Sequence, residues 1–439
     1  MWKLIRRLLA MGFLVPGLLL IPAITSTAIL ISDPGLRSAS PSRFAFQLHR
    51  SLSRRIPRYV EDRLASGKAA TLSVSQITAT EWPVYGAFFY LLATQNLQQQ
   101  WDANPQLSST APKEEGMEAI EASLRLALDD NHAHWVKTYW GDDYLSDPNC
   151  FYRMLLIGSI TAHHLLTGDL QHLELLRELS TDLATDIDQS PRGLIDDYPD
   201  QCFPADVAVG IAMVRYADQA LGSDHQEWAS AAYRRLTTTF PDSLPPYMAR
   251  ASTGHPTAPS RGCTNGFFFS FDRQLSSDDT DSRYEAYVDH FWRETKVMAG
   301  WREFPADPAK SDTLYFDPDS GPVIDGLGTS ATGLGLGAAR HHADSDRAGK
   351  LGAEFIASVL PLPTGRLLLP SLVADHEHAP LFPEIVLLHQ ISIAGGSTPS
   401  PAPIPRIVFL ILTSEILIGL LSLAVAWKLL RVQRQPKAA

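Results

Sequence analysis

The sequence predicts an all-α protein, an (α/α)6 toroid of paired helices flanked at both ends by transmembrane helices. Three observations carry this. Long uncharged runs lie at each end of the chain and are bordered by Lys and Arg. Between them, apolar residues recur at three and four positions over nine segments, the period of a helix with one buried face. Adjacent segments are separated by short breaks such as Gly168-Asp169 and Leu221-Gly222-Ser223-Asp224, which suits antiparallel hairpins.

The first element is a membrane anchor over residues 1–32. Lys3, Arg6 and Arg7 precede 25 uncharged positions, Leu8 to Ser32; about 20 apolar residues span a bilayer as a helix, and the basic flank places the N-terminus in the cytoplasm. A cleaved signal peptide competes, because Thr25-Ser26-Thr27-Ala28 offers small residues, but the run exceeds the usual signal core of about 7–15 residues. A Pro/Ser-rich linker follows at 33–42. The main domain covers 43–394, with helices expected at 78–101, 114–129, 150–167, 170–187, 204–222, 225–238, 283–299, 330–343 and 346–359. Strand-like alternation is confined to 313–316 and 363–373. Residues 241–280 read as a long irregular insertion, of the kind that is usually a functional loop or flap. A Pro-rich linker at 395–406 leads to a second span, the 21 residues Ile407 to Trp427, interrupted only by Glu415. Lys428, Arg431, Arg434 and Lys437 place the tail 428–439 in the cytoplasm as well. Glu415 is costly in lipid, and a contact with the first span is its expected use. The two orientations agree, so the expected location is a bacterial inner membrane with the main domain outside the cytoplasm. A closed ring is preferred to an open solenoid because no fixed repeat of 34 to 45 residues is present.

With 45% hydrophobic and 19% charged positions the chain is no disordered protein. Its formal charge of −11 argues against nucleic-acid binding, and three cysteines are too few for a disulfide-built scaffold. Residues 33–405 hold 29 basic and 47 acidic side chains. Such a surface disfavours polyanionic partners and suits a neutral or cationic ligand; with the acidic, aromatic loops of the chain, the expected partner is a small neutral hydroxylated substrate, a terpenoid or a sugar.

Three acidic, aromatic loops end where helices begin: Tyr139 to Cys150, Gly193 to Asp206 and Tyr315 to Gly326. The first two repeat Asp-Asp-Tyr, then Asp, then Cys, offset by 54 and 52 residues at their two ends, so one helical hairpin separates them and both return to the same rim. Carboxylates among aromatic rings permit acid–base catalysis, because one can stay protonated near neutral pH while its neighbour ionises. The expected catalytic residues are Asp143, Asp197, Cys150, Cys202 and Tyr198; Trp140, Tyr144, Asp196, Asp206, Tyr315 and Asp325 would bind substrate. Helix capping competes for Asp147 and Asp206. No metal and no cofactor are expected, since the spacings match no calcium loop and no paired zinc ligands. Cys150 and Cys202 stand at helix starts, where the dipole lowers a thiol's pKa, and an oxidising compartment would favour a bridge between them instead. Buried inert thiols are the third reading. Within a helix, His163 and His164 point about 100° apart, so one at most faces inward. The glycine-rich stretch Gly326 to Gly337 lacks the Lys of a phosphate loop, and small residues at that density permit close helix packing.

Asp196 to Tyr216 and Tyr139 to Arg153 resemble the linalool dehydratase/isomerase family, with weaker support from Tyr315 to Arg340. The resemblance implies an exported (α/α)6 barrel that adds or removes water on a terpene alcohol without a cofactor, using Asp, His, Tyr and Cys side chains. It places Cys202 where that family has a pocket cysteine, beside Asp196 or Asp197. Membrane anchors at both ends depart from the soluble pattern of the family. The expectation is therefore a cofactor-independent lyase or isomerase of hydro-lyase type. The alternatives are a glycoside hydrolase or glycan-processing enzyme, recognised by two carboxyl groups about 5–9 Å apart, and a non-catalytic envelope scaffold or sugar-binding module with its Asp-Asp pairs in solvent.

Overall fold

A computed structural model describes residues 2–240, 244–272, 275, 280–305, 315–317, 321–395 and 402–431. Helices dominate. The two terminal ones, α1 (Trp2–Leu30) and α17 (Arg406–Arg431), are long and apolar enough to cross a membrane. They lie side by side, and Arg6 donates to the Leu429 carbonyl at 2.8 Å, which puts the two basic ends together. The buried positions of α17, Val408, Glu415, Gly419 and Ala426, fall on one stripe. Pro16 and Pro22 sit inside α1 without ending it, as membrane helices tolerate.

Between them come α2 (Arg43–Ser53), α3 (Ile56–Ser66), α4 (Ile77–Ala103), α5 (Pro112–Ala127), α6 (His134–Trp140), α7 (Cys150–Thr167), α8 (Leu173–Gln189), α9 (Pro204–Leu221) and α10 (Gln226–Thr239). Then follow the hairpin β1 (Met248–Ala249) and β2 (Pro256–Ala258), α11 (Gly262–Phe269) and α12 (Thr280–Phe291). A second hairpin pairs β3 (Trp292–Glu294) with β4 (Ala299–Trp301), and a three-stranded sheet runs β5 (Tyr315–Asp317), β6 (Gly321–Ile324), β7 (Leu327–Gly328). The domain ends with α13 (Thr329–His341), α14 (Ser345–Val359), α15 (Leu368–Val373) and α16 (Phe382–Ser392).

Six helices contribute nearly half of the buried apolar core. α4 packs on α7, α7 on α9, α9 on α11, α11 on α13, α13 on α16, and α16 on α4. The others cover them: α5 lies on α4 and α7, α8 on α7 and α9, α10 on α9, α12 on α11, and α14 on α13. Burial follows this division. α7 is apolar around nearly its whole circumference and 15 of its 18 residues are buried, as a helix covered on all sides must be. α8 buries one stripe, Leu176, Leu179, Leu183 and Ile187.

Several expectations are corrected. The insertion at 241–280 is not irregular throughout, because it contains α11, which buries Phe267, Phe268 and Phe269. Tertiary burial of three aromatic rings overrides the poor helix propensity of Gly262-Cys-Thr-Asn-Gly. The helix expected at 283–299 stops at Phe291 and turns into the β3–β4 hairpin, where Trp292 pairs with Trp301. The strand expected at 363–373 is a single bridge, Pro361 to Leu367, followed by α15; of 313–316, the residues 313 and 314 lie outside the described ones. Residues 33–42 are no loose linker. Leu36, Ser38, Ser40 and Ser42 are buried against the domain. Of the second linker, 396–401 lie outside the described residues, as do 432–439 of the basic tail.

The glycine-rich stretch serves packing. A Cβ on Gly335 would stand 2.1 Å from Cδ1 of Trp301, and one on Gly337 would stand 1.7 Å from Oε1 of Gln390. Trp301 is fully buried and has nowhere to retreat. Gly335→Ala is therefore expected to cost about 1–3 kcal/mol of stability through overpacking, read by chemical unfolding. An unchanged midpoint would show that Trp301 moves freely.

Candidate functional site

The starts of α4, α7, α9 and α11 carry the chemistry-bearing residues. Glu81 and Tyr85 stand four apart in the first turns of α4 and so share a face. Cys150 opens α7, Asp206 lies in the first turn of α9 behind Pro204, and Cys263 follows the first residue of α11. Pro204 suits its place because the first helical amide has no partner to lose.

Asp197, Asp206 and Glu81 form an acidic cluster. The Tyr198 hydroxyl donates to Oε1 of Glu81 at 2.7 Å. Asp206 is partly accessible, yet the surrounding protein strips water from its carboxyl, and together with the neighbouring Glu81 charge this pushes its pKa up to about 8. The helix start does not reverse this, and Asp206 makes no side-chain cap at α9. Asp197 is buried, and it too is held well above the usual carboxylate range, first by desolvation and then by Asp206. Its Oδ2 accepts the Phe203 amide at 2.7 Å. The turn Tyr198 to Gln201 closes on reciprocal backbone bonds, with Asp200 in the left-handed region at φ 64°, and this aims Asp197 at the start of α9.

Aromatic rings surround the cluster. Tyr198 meets Tyr139 edge-on at 5.2 Å and Phe203 at 6.2 Å, and Phe203 meets Tyr247 at 5.1 Å. The Arg261 guanidinium lies 4.8 Å from the centre of the Tyr247 ring, and its Nε donates to Oε1 of Glu303 at 2.7 Å. The Cys263 thiol lies 3.0 Å from that same oxygen. Burial pushes the Tyr85 phenol well up, and the neighbouring Asp206, Cys263 and Glu81 add to it.

Not every expected residue joins this group. Asp142 and Asp143 are exposed, so Asp143 does not share the buried environment of Asp197. Tyr144 is half-buried, with its ring 5.8 Å from Tyr152 and Lys137 Nζ 5.5 Å above it. Trp140 does reach the cluster, donating Nε1 to the Asp197 carbonyl at 3.2 Å. Asp196 is half-buried, and its carbonyl accepts the Cys150 amide at 3.1 Å. Asp325 is a turn residue at φ 53° between β6 and β7, and its Oδ2 lies 3.0 Å from Arg293. Tyr315 has its backbone in β5 opposite Val323, while its side chain lies outside the described ones. His163 turns away toward Glu121 of α5, with Nε2 3.2 Å from its carboxylate, and His164 contacts the Asp169 carbonyl.

All three cysteines are buried, and no disulfide joins any two of them. The expected lowering of the Cys150 and Cys202 thiols by helix dipoles is overturned. Burial, followed by the charge of Asp197, pushes both well up. They are therefore expected to resist maleimide labelling in the native protein at pH 7 and to react fully in denaturant. Rapid native labelling of either would place it on an open surface.

Glu81, Tyr85 and Glu303 were not among the residues singled out from sequence, whereas Arg261 and Cys263 fall in the loop 261–273 that was expected at the rim of the pocket. Glu81 had a legible signal, being the sole charged residue from Ile77 to Trp101. Among the described residues no group of three or more His, Cys, Asp or Glu is arranged to hold a metal ion. A cavity of about 1300 Å³ lies at the other ends of these helices, away from the acidic cluster. Compared with known proteins, the chain matches no family model and no curated protein.

Proposed function

We propose that the chain is a membrane-anchored (α/α)6 toroid that performs cofactor-independent acid–base chemistry on a neutral hydroxylated substrate, in the manner of the linalool dehydratase/isomerase family. The order of helix packing supports the toroid: it passes from α4 through α7, α9, α11 and α13 to α16 and returns to α4, with the remaining helices outside. In this reading the domain faces away from the cytoplasm, supported by the paired basic ends of α1 and α17.

The observation that carries the reaction is the Asp206 carboxyl, protonated near neutral pH beside Glu81 and the Tyr198 hydroxyl. Asp206 gives its proton to the substrate hydroxyl oxygen. The C–O bond breaks with its electron pair, and water leaves. The positive charge left on carbon faces the rings of Tyr85, Tyr198 and Phe203. A carboxylate of the cluster, Glu81 foremost, removes the adjacent C–H proton to form the double bond, and hydration is the reverse. Asp197 ties the loop to α9 by accepting the Phe203 amide.

The test incubates the purified full chain with tertiary allylic terpene alcohols and follows alkene and isomer formation by gas chromatography. Asp206→Asn and Glu81→Gln are each expected to lower turnover by a factor of about 10²–10⁴. In parallel, carbon-13 NMR of labelled aspartate follows Asp206; titration near 4 would overturn its role as acid whatever the substrate.

A further inference from the structure

We propose that the 1300 Å³ cavity is a second binding site, one that takes the uncharged, hydroxylated headgroup of a membrane lipid. It is built from the last turns of α4, α9 and α16 together with residues 29–43, the stretch in which α1 leaves the membrane and enters the domain. It stands apart from the acidic cluster. Tyr85 stacks on Phe89 at 4.4 Å, Phe89 meets His389 at 4.8 Å, and Phe271 stacks on His389 at 5.7 Å, so rings fill the space between the two ends. The proposal is therefore independent of the reaction proposed above.

Three features choose the ligand. The first is the wall. Gln95, Asn96, Gln99 and Gln100 line the cavity from successive turns of α4, with Gln219 of α9 also on the wall. Each carboxamide carries two donors and an acceptor; Asn96 and Gln100 each give one donor to Ser392, and the groups that remain match hydroxyls that both give and take hydrogen bonds. Oε1 of Gln95 is covered and has no partner among the described residues, a cost that a ligand hydroxyl removes once the amide turns over.

The second feature is charge. Asp33 is occupied within its own segment, accepting the Ser42 hydroxyl at 2.8 Å and the Gly35 amide at 3.0 Å. Arg215 is occupied by Asp218 at 2.7 Å and Gln226 at 2.9 Å. Arg43 is exposed at the edge. His389 is kept neutral by burial, its pKa lowered to about 3. His341 completes the basic side chains of the lining, and among the described residues no cluster of Lys and Arg converges on a phosphate.

The third is position and size. Ile29 and Leu30 of the last turn of α1 form part of the lining, beside Leu92, Met213 and Ile393. A headgroup held by the amides would thus leave its hydrocarbon chain against apolar wall continuous with the membrane helix. The volume exceeds the usual 300–1000 Å³ of a small-molecule pocket, enough for a sugar headgroup and the first part of its tail.

The experiment uses the full chain in phosphatidylcholine nanodiscs containing glucosyl-diacylglycerol, with phosphatidylglycerol and free maltose as the other arms, and binding is read by native mass spectrometry and thermal shift. Glucosyl-diacylglycerol is expected to bind and to raise the melting temperature, while phosphatidylglycerol does not. Gln95→Leu with Gln99→Leu, two side chains that hold no hydrogen bond among the described residues, is expected to weaken binding about tenfold without lowering the melting temperature of the lipid-free chain. Equal binding of phosphatidylglycerol, equal binding by the double variant, or absence of glycolipid binding would overturn the site. Saturation by maltose at the same concentration would overturn the membrane source. Should the double variant fail to fold, a diazirine-bearing glucosyl lipid on the wild-type chain decides: crosslinks within 92–104 and 213–226 are expected, and crosslinks confined elsewhere reject the site.

Discussion

Replacing Arg340 by Met is expected to destabilise the domain by about 3–5 kcal/mol, the range for stripping the charged partner from a buried polar network. Arg340 is fully buried near the end of α13. Its Nε donates to the Ile393 carbonyl at 2.7 Å, Nη1 to those of Gly35 at 3.1 Å and Ser38 at 2.6 Å, and Nη2 to that of Ser40 at 2.6 Å. Burial lowers its pKa to about 10, so it remains a cation at neutral pH. Met has comparable bulk but no donor, and four carbonyls would be left dry. Because three of them belong to 35–40, the damage should concentrate where α1 meets the domain. Thermal unfolding of the solubilised chain would show the loss, and limited proteolysis would show new cleavage between Leu36 and Ser42. The exposed Arg234→Met is the control. Equal melting temperatures for the two variants would show that the network contributes nothing.

That residue shows where sequence reading ends. In Ala338-Ala339-Arg340-His341, an Arg near a helix end reads as an ordinary complement to the dipole. Nothing in the local pattern says that a Ser/Pro-rich stretch three hundred residues earlier folds around it. The periodic helices and the two apolar ends were legible because each is a local signal. α11 was not, since three adjacent Phe side chains carry no period and their burial comes from helices far away in the chain. The two Asp-Asp-Tyr loops make the same point within one site. They are alike in composition, but the Tyr198–Gln201 turn and the Phe203 amide bury Asp197, while Asp143 stays in solvent. Which carboxyls would be desolvated depends on neighbours that the repeat does not encode. Asp206 read equally well as a helix cap, and its distinguishing partner, Glu81, lies in a different helix.

Asp206→Asn is expected to lower turnover by a factor of about 10²–10⁴, the usual loss when a positioned acid is removed, and to change how stability depends on pH. The carboxyl goes from an ordinary 3.8 to about 8 on folding. Between those values the folded protein holds a proton that the unfolded chain has released, so wild-type stability is fully present below about 4 and falls as pH rises through 8. Asn preserves the shape and cannot ionise, so its curve should be flatter over that window and the variant should be the more stable one at pH 9. Glu81 and Asp197 share the site, so the measured midpoint belongs to the cluster rather than to one oxygen. Urea unfolding at pH 5, 7 and 9 checks the sign. A capping role would instead make Asn neutral or destabilising at every pH, and parallel curves for the two proteins would mean that Asp206 is already ionised in the folded state. Loss of turnover with enhanced alkaline stability is the combination that only a carboxyl held protonated for chemistry produces.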